Sequence, residues 1–364
     1  MTIQEIFSSI ESFAPLSLQE SYDNSGIICG NASAEATGAL LTLDCTEAIV
    51  DEAIKKNCNL IIAHHPIIFS GLKKITGKNY VERVIIKAIK NDIVIYACHT
   101  NLDNVSNGVN KVICDKLGLK NCKILSPKKD LLKKLITFCP ADKVDVVRKA
   151  LFAAGAGHIG NYDECSFNSA GFGTFRGNDN TKPYVGKKGR QHREKELKVE
   201  VIMPSYLETK IITTLLAAHP YEEAAYDIIP LSNKHSNIGS GMIGELAKEP
   251  TELSFLKYVK RVMKATSVRH TQLLNKKVRK VAVCGGSGSF LLNDAIAAGA
   301  DVFVTSDFKY HQFFEADNKI VIADIGHYET EQFTPSIFID IISTNFPKFA
   351  VHLSKINTNP INYI

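Results

Sequence analysis

Short, strand-like runs dominated by apolar residues recur along the chain, at 39–44, 59–62, 91–95, 281–284, 301–305 and 318–322. Runs of this length, closed by polar or turn-forming residues, read as buried strands. Helix-like segments stand between them. Thr46 can cap a helix through Lys56, with Glu47 where the helix dipole favours an acid, and 290–298 forms another. At the start, a short helix leads through Asp23-Asn24-Ser25-Gly26, most simply a turn though its acidic and amide groups could also serve a site, into a strand at 27–29. Alternating strands and helices predict an α/β body. The pattern changes between 133 and 231. There 134–138 is strand-like, 141–154 helical in period, 163–176 and 196–203 alternate as strands, 207–218 is helical, and 225–230 closes as a strand. The order β-α-β-β-α-β is the ferredoxin-like split unit, here an α+β domain inserted within the first fold. The expected division is 1–128, 129–235 and 236–364.

Chemistry collects where the strands end. The run 59–62 leads into Ala63-His64-His65-Pro66, and neighbouring side chains at a strand end diverge, so the two imidazoles can each reach one of two adjacent metal ions. A histidine pair beside a proline can equally do no more than close a strand. The layout then recurs. The run 91–95 leads to His99 with Asp103 four residues on, and 318–322 leads to His327 with Glu331 four residues on; the run 301–305 ends in Ser306-Asp307. Two copies of one layout predict two pseudo-symmetric α/β halves with a site between them. The polar loop 70–80, absent from the second copy, is a candidate lid.

Composition narrows the function classes. Apolar residues make up 45% of the chain and charged ones 22%, ordinary for a globular protein. No apolar run approaches a membrane span, and the first residues lack the pattern of a secretory signal. Nine scattered cysteines form no C-x-x-C pair, which fits a reducing cytoplasm. The net charge of +5 is mild, and its densest cluster, 187–195, carries no interleaved aromatic residues; a solvated loop is expected there, not a nucleic-acid surface. His158 and His219 read as turn and strand-edge residues. Gly285-Gly286-Ser287-Gly288-Ser289 follows a strand and precedes a helix. It is either an anion-binding turn, with Gly286, Ser287 and Gly288 at its centre, or a tight connection.

The motifs Asp23-Asn24-Ser25-Gly26, Leu43-Asp44-Cys45-Thr46, His64-His65-Pro66, His99-Thr100-Asn101-Leu102-Asp103, Gly286-Ser287-Gly288, Thr305-Ser306-Asp307, His311 and Gly326-His327-Tyr328-Glu329-Thr330-Glu331 occur in this order. Together they make the chain resemble, over essentially its whole length, the Nif-three-like family, whose members are often labelled GTP cyclohydrolase I type 2 homologs. Tyr22 stands where that family usually has Trp, and Ser306 where it usually has Gly. The resemblance implies a two-metal site with His64, His65, Asp103, His327 and Glu331 as ligands. It also implies that the insert is PII-like and that the chain forms a toroidal homohexamer with metal sites facing an inner cavity.

Mixed nitrogen and oxygen donors suit two divalent ions such as Zn, Mn, Fe or Co. Such a site implies a metal-dependent hydrolase that uses a metal-bridging water on an unknown small molecule, nucleotides being one class. His99 or His311 would relay protons or hold a ligand from outside the metal shell. Opening a guanine ring is chemically compatible with this site, but no aromatic pair with a guanine-reading acid stands out in the sequence. The alternative is a metal chaperone or a metal- or small-molecule-sensing protein without catalysis. A non-catalytic scaffold is a third reading, against which stands the cost of burying an uncoordinated histidine cluster.

Overall fold

The computed structural model describes residues 1–364, which form two compact units. One comprises Met1–Pro127 and Asn237–Ile364; the other is Lys128–Ser236.

The first unit contains two sheets. In the five-stranded sheet, Gly26–Cys29, Val94–Ala97, Leu60–Ala63, Ala39–Thr42 and Val351–Leu353 lie side by side in that order. All neighbours are parallel except Gly26–Cys29, which runs antiparallel to Val94–Ala97. The three central strands are buried at every position, as expected of parallel strands covered on both faces. Leu40, Ile61 and Ile95 pack beneath the helices Glu47–Lys55 and Tyr80–Lys90 through Ile49, Val50, Val84 and Ile85. Each such side chain contributes roughly 1.5–3 kcal/mol on burial. On the strand Val94–Ala97, Tyr96 stacks on Phe7 of the helix Ile3–Phe13 at 4.2 Å between ring centres. Register pairs Thr42 with Ala63 and Ala63 with Ala97. The three strands therefore stop at one edge, and the residues just beyond them converge.

The six-stranded sheet runs Arg269–His270, Val321–Asp324, Val302–Ser306, Lys280–Ser287, Gly239–Glu245 and Lys120–Pro127. Its three central strands are parallel and paired from Val281–Val302 and Val302–Val321 onward, so their carboxyl ends also share an edge. The two segments of the chain exchange strands: Lys120–Pro127 belongs to this sheet, while Val351–Leu353 closes the other.

Several local expectations change. Thr46 sits at the helix N-cap, but its side chain accepts no capping hydrogen bond. The strand expected at 281–284 continues through both glycines to Ser287, and only a 3-10 turn and the six-residue helix Leu292–Ala297 follow. The loop 70–79 is pinned at its far end by Glu82, whose carboxylate accepts from the Thr76 and Lys78 amides and the Thr76 hydroxyl.

In the second unit, Ser166–Phe175, His192–Pro204, Leu132–Pro140 and Tyr226–Leu231 form an antiparallel sheet in that order. The helices Val144–Ala154 and Glu208–Ala218 cover one face through Val147, Leu151, Ile211 and Leu215. The chain order is β-α-β-β-α-β. The basic run 187–195 is only partly a loop, since the strand already begins at His192. His158 is exposed. His219 is buried with both ring nitrogens engaged, Nδ1 by the Tyr221 amide and Nε2 by the Phe138 carbonyl.

Candidate metal centre

His64 and His65 leave the sheet directly after Leu60–Ala63, where their amides donate to the Leu43 carbonyl. The alternation of a strand end sends the two rings apart: His64 is fully buried, whereas His65 faces a cavity. His99 occupies the N-cap of the short helix Thr100–Asp103, which carries Asp103 one turn further. In the other sheet, Gly326 turns the chain at φ +100° into the helix His327–Glu331. A spacing of four residues puts His327 and Glu331 on one helical face, with Nε2 of His327 3.1 Å from Oε2 of Glu331.

These residues converge. Glu331 Oε2 lies 2.8 Å from Nε2 of His65, and Oε1 lies 3.8 Å from Nε2 of His64. His64 Nε2 stands 3.6 Å from Asp103 Oδ1, and the Nε2 atoms of His65 and His327 are 3.4 Å apart. Three overlapping sets can each hold a metal ion, with ligand atoms within 4.8 Å of one another: His64, His65 and His99; His65, His327 and Glu331; and His64, Asp103 and Glu331.

Each ring is fixed from behind. Nδ1 of His65 meets Asp44 at 2.7 Å, Nδ1 of His327 meets Asp307 at 2.6 Å, Nδ1 of His99 meets Asp23 at 2.7 Å, and Nδ1 of His64 meets the Cys98 carbonyl at 2.8 Å. A carbonyl or an ionised carboxylate only accepts, so Nδ1 donates its hydrogen and Nε2 is the atom left facing the cluster, where a metal ion could bind it. The sequence offers the acid of Asp23 to a site, but does not reveal that Asp23, Asp44 and Asp307 stand behind histidine rings. For Asp44 and Asp307 a signal exists, since each follows a strand's carboxyl end by one or two residues.

The carboxylates draw positive charge into the cluster. Burial pushes the His64 imidazole down to about 4. Burial also opposes charge on His65, but hydrogen bonds to Asp44 and Glu331 raise it to about 9. At His327 the charge of Glu331 and the contact with Asp307 overcome burial and raise the ring to about 11. Burial would raise Glu331, yet the surrounding imidazoles hold it well below the usual carboxylate range. Desolvation of its buried Oδ1 and the charge of Glu331 hold Asp103 well above that range. His64 Nε2 and Asp103 Oδ1 are buried and lack any hydrogen-bond partner. With Asp103 ionised, two acceptors facing each other are costly unless something positive, a proton or a metal ion, lies between them. This orphaned pair, together with the donor set, fits a divalent metal.

The glycine turn makes room for the cluster. A Cβ on Gly286 would stand 2.5 Å from Glu331 Oε1 and 3.2 Å from the His327 ring. The Gly285 amide donates to Asn110 and the Gly286 amide to Thr330, so neither is open to an anion. Ser287 donates to Asp307, the carboxylate behind His327, and a Cβ on Gly288 would meet Thr305 Oγ1 at 2.2 Å. Of the three residues expected to bind an anion, Gly286 thus has its amide engaged by Thr330, and the Ser287 side chain braces Asp307. His311 is also displaced from its expected place: it lies exposed on the 3-10 turn Tyr310–Ala316, its ring against Tyr310 and Phe314. It does not line the site cavity of about 680 Å³, whose walls include His65, His99, His327 and the aromatic rings of Tyr22, Phe69 and Phe290.

Comparison with known proteins matches residues 1–360 to the family model Duf34/NIF3 (NGG1p interacting factor 3). A Halalkalibacterium halodurans protein named GTP cyclohydrolase 1 type 2 homolog is 42% identical over 326 residues, covering 89% of this chain and 88% of that relative. A Bacillus subtilis protein of the same name is 37% identical, covering 99% of this chain and 98% of the relative. Among solved structures, a Bacillus cereus protein related to NIF3 aligns with a TM-score of 0.87 at 39% identity, covering 100% of this chain and 99% of that one. No helix is long and apolar enough to cross a membrane. A match along nearly the entire chain, agreeing with the fold and with the convergence of its strand ends, shows that the protein belongs to the Duf34/NIF3 family.

Proposed function

We propose that this chain is a dinuclear metal-dependent hydrolase whose ligands are His64, His65, Asp103, His327 and Glu331. The observation that carries the reading is the overlap of the donor sets. Glu331 belongs both to the set with His64 and Asp103 and to the set with His65 and His327, an arrangement suited to two neighbouring ions sharing one carboxylate. Divalent ions bound there would polarise a carbonyl or phosphoryl oxygen and make a coordinated water acidic enough to attack it near neutral pH. Zn, Mn, Fe and Co all suit this donor set.

The protein's own groups supply the remainder. Asp44, Asp307 and Asp23 keep three imidazoles in one tautomer and orientation. His99 borders both the cluster and the cavity, which places it to hold or pass a proton at Nε2. Tyr22, Phe69 and Phe290 give the cavity an apolar wall for a planar substrate. The name carried by the relatives directs the first substrate screen toward guanine nucleotides, with phosphoesters and amides beside them. The unit Lys128–Ser236, with its β-α-β-β-α-β order, fits a PII-like regulatory part in this scheme.

The test is metal content per chain, by elemental analysis of untagged protein purified without added metal, for the parent and for His65→Ala and Glu331→Ala. About two ions in the parent, fewer in both variants, and turnover of a panel substrate that disappears with the metal would support the proposal. A parent with little metal, or variants that retain it, would overturn the site. Tightly bound metal with no turnover across the panel would overturn the hydrolase reading, and ready transfer of that metal to an acceptor would favour metal handling instead.

A further inference from the structure

The unit Lys128–Ser236 contains a cavity of its own, about 660 Å³, within the range of small-molecule sites. Phe138, Glu196 and Lys198 line it, while Leu135, Cys139, Leu197 and Val199 pack under the helices. By strand alternation the cavity therefore lies on the sheet face opposite the helices.

At its centre is an unusual carboxylate. Glu196 is only 7% exposed. Its Oε1 accepts a hydrogen bond from the Tyr221 hydroxyl at 2.7 Å, and no Lys, Arg or His pairs with it. Lys198, the next residue on the same face of the strand, is engaged with Glu200 at 2.5 Å. Oε2 is directed toward Gly173, where a Cβ would lie 2.1 Å away; the glycine keeps that space clear. With a single neutral donor from the protein, this carboxylate keeps accepting capacity for a molecule bound in the cavity.

The surroundings are constructed and aromatic. Tyr221 is held by its own amide, which donates to His219 Nδ1, while His219 Nε2 donates to the Phe138 carbonyl. Phe175 and Tyr184 each stand 6.1 Å from the Tyr221 ring. Glu222 accepts from the Lys182 amide at 2.7 Å and so ties down the loop that carries Tyr184. Arg176, exposed and without an ion-pair partner, lies among the lining residues.

We propose that this cavity binds a planar nitrogen heterocycle with adjacent N–H donors and an anionic tail. The donor edge meets Glu196, the ring lies on the aromatic wall, and the tail meets Arg176. Guanine carries such an edge, whereas adenine has no ring N–H beside its amino group. The inference is independent of the metal site.

Isothermal titration calorimetry on the full chain tests it, with guanosine 5′-monophosphate as the probe and adenosine 5′-monophosphate beside it. One saturable site per chain, with the guanine nucleotide preferred by about tenfold or more, is expected. Glu196→Gln weakens binding of the guanine nucleotide by a similar factor, and Tyr221→Phe, which keeps the ring, weakens it severalfold. His65→Ala leaves it unchanged. Lack of saturable binding, equal affinity for both nucleotides, full affinity in both cavity variants, or loss of binding in His65→Ala would each overturn the proposal. Should Glu196→Gln fail to fold, Tyr221→Phe decides the outcome.

Discussion

Each imidazole of the cluster owes its orientation to a group on the opposite side of its ring. Asp44 illustrates the dependence: Oδ1 meets His65 Nδ1, and Oδ2 accepts from Thr358. Replacing Asp44 with Ala frees the ring to rotate and change tautomer, and is expected to lower metal affinity by about 10–100-fold. Asp44→Asn keeps an acceptor oxygen and should lose less. Competition against a chromophoric chelator measures both, and equal affinity in parent and Asp44→Ala would remove the orienting role. At this scale the sequence exposed the histidines and the two carboxylates that follow His99 and His327, because strand ends and four-residue spacings are local patterns. It did not expose why Gly286 is glycine. That reason lies in the approach of Glu331 Oε1 to within 2.5 Å of the position a Cβ would take.

The short helix His327–Glu331 is the element on which the geometry turns, because it delivers two of the converging groups at once. Its start depends on Gly326, at φ +100°, where a Cβ would lie 2.2 Å from Glu329 Oε2. L-residues avoid this conformation, so Gly326→Ala should shift the helix. We expect metal content per chain to fall severalfold while far-UV circular dichroism stays near that of the parent; undiminished metal content would show that the turn tolerates a side chain. Strands were the most legible elements, since fully buried parallel strands appear in sequence as short apolar runs. Their ends were less so. The strand Lys280–Ser287 runs through two glycines that read as a turn, because pairing of Ser287 with Ser306 extends the ladder past them. The loop 70–80 reads as a candidate lid, and Glu82 restrains its far end through contacts no periodicity reveals.

At the scale of the whole molecule, the histidine–carboxylate cluster belongs to the unit of Met1–Pro127 and Asn237–Ile364, while Lys128–Ser236 has its own core. Calorimetric unfolding should therefore resolve two transitions, and removal of metal with a chelator should lower only one of them. A ligand present at a hundred times its dissociation constant stabilises by about 2.7 kcal/mol, a shift of several degrees at most in a unit of this size. Equal shifts of both transitions, or none, would contradict the assignment of metal to that unit. The sequence by itself determined the order of strands and helices, the change of pattern near 133 and 231, and the chemistry waiting at each strand end. Periodicity, capping and turn preference act over a few residues, and so can be read along a line. Tertiary structure alone decided which of those ends meet. His65 and Glu331 are 266 positions apart yet lie 2.8 Å from each other, the Lys120–Pro127 strand crosses into the other sheet, and His311 remains outside the cluster. Such outcomes depend on how two sheets pack and close their loops, and on burial that leaves His64 and Asp103 without hydrogen-bond partners, none of which has a local signature.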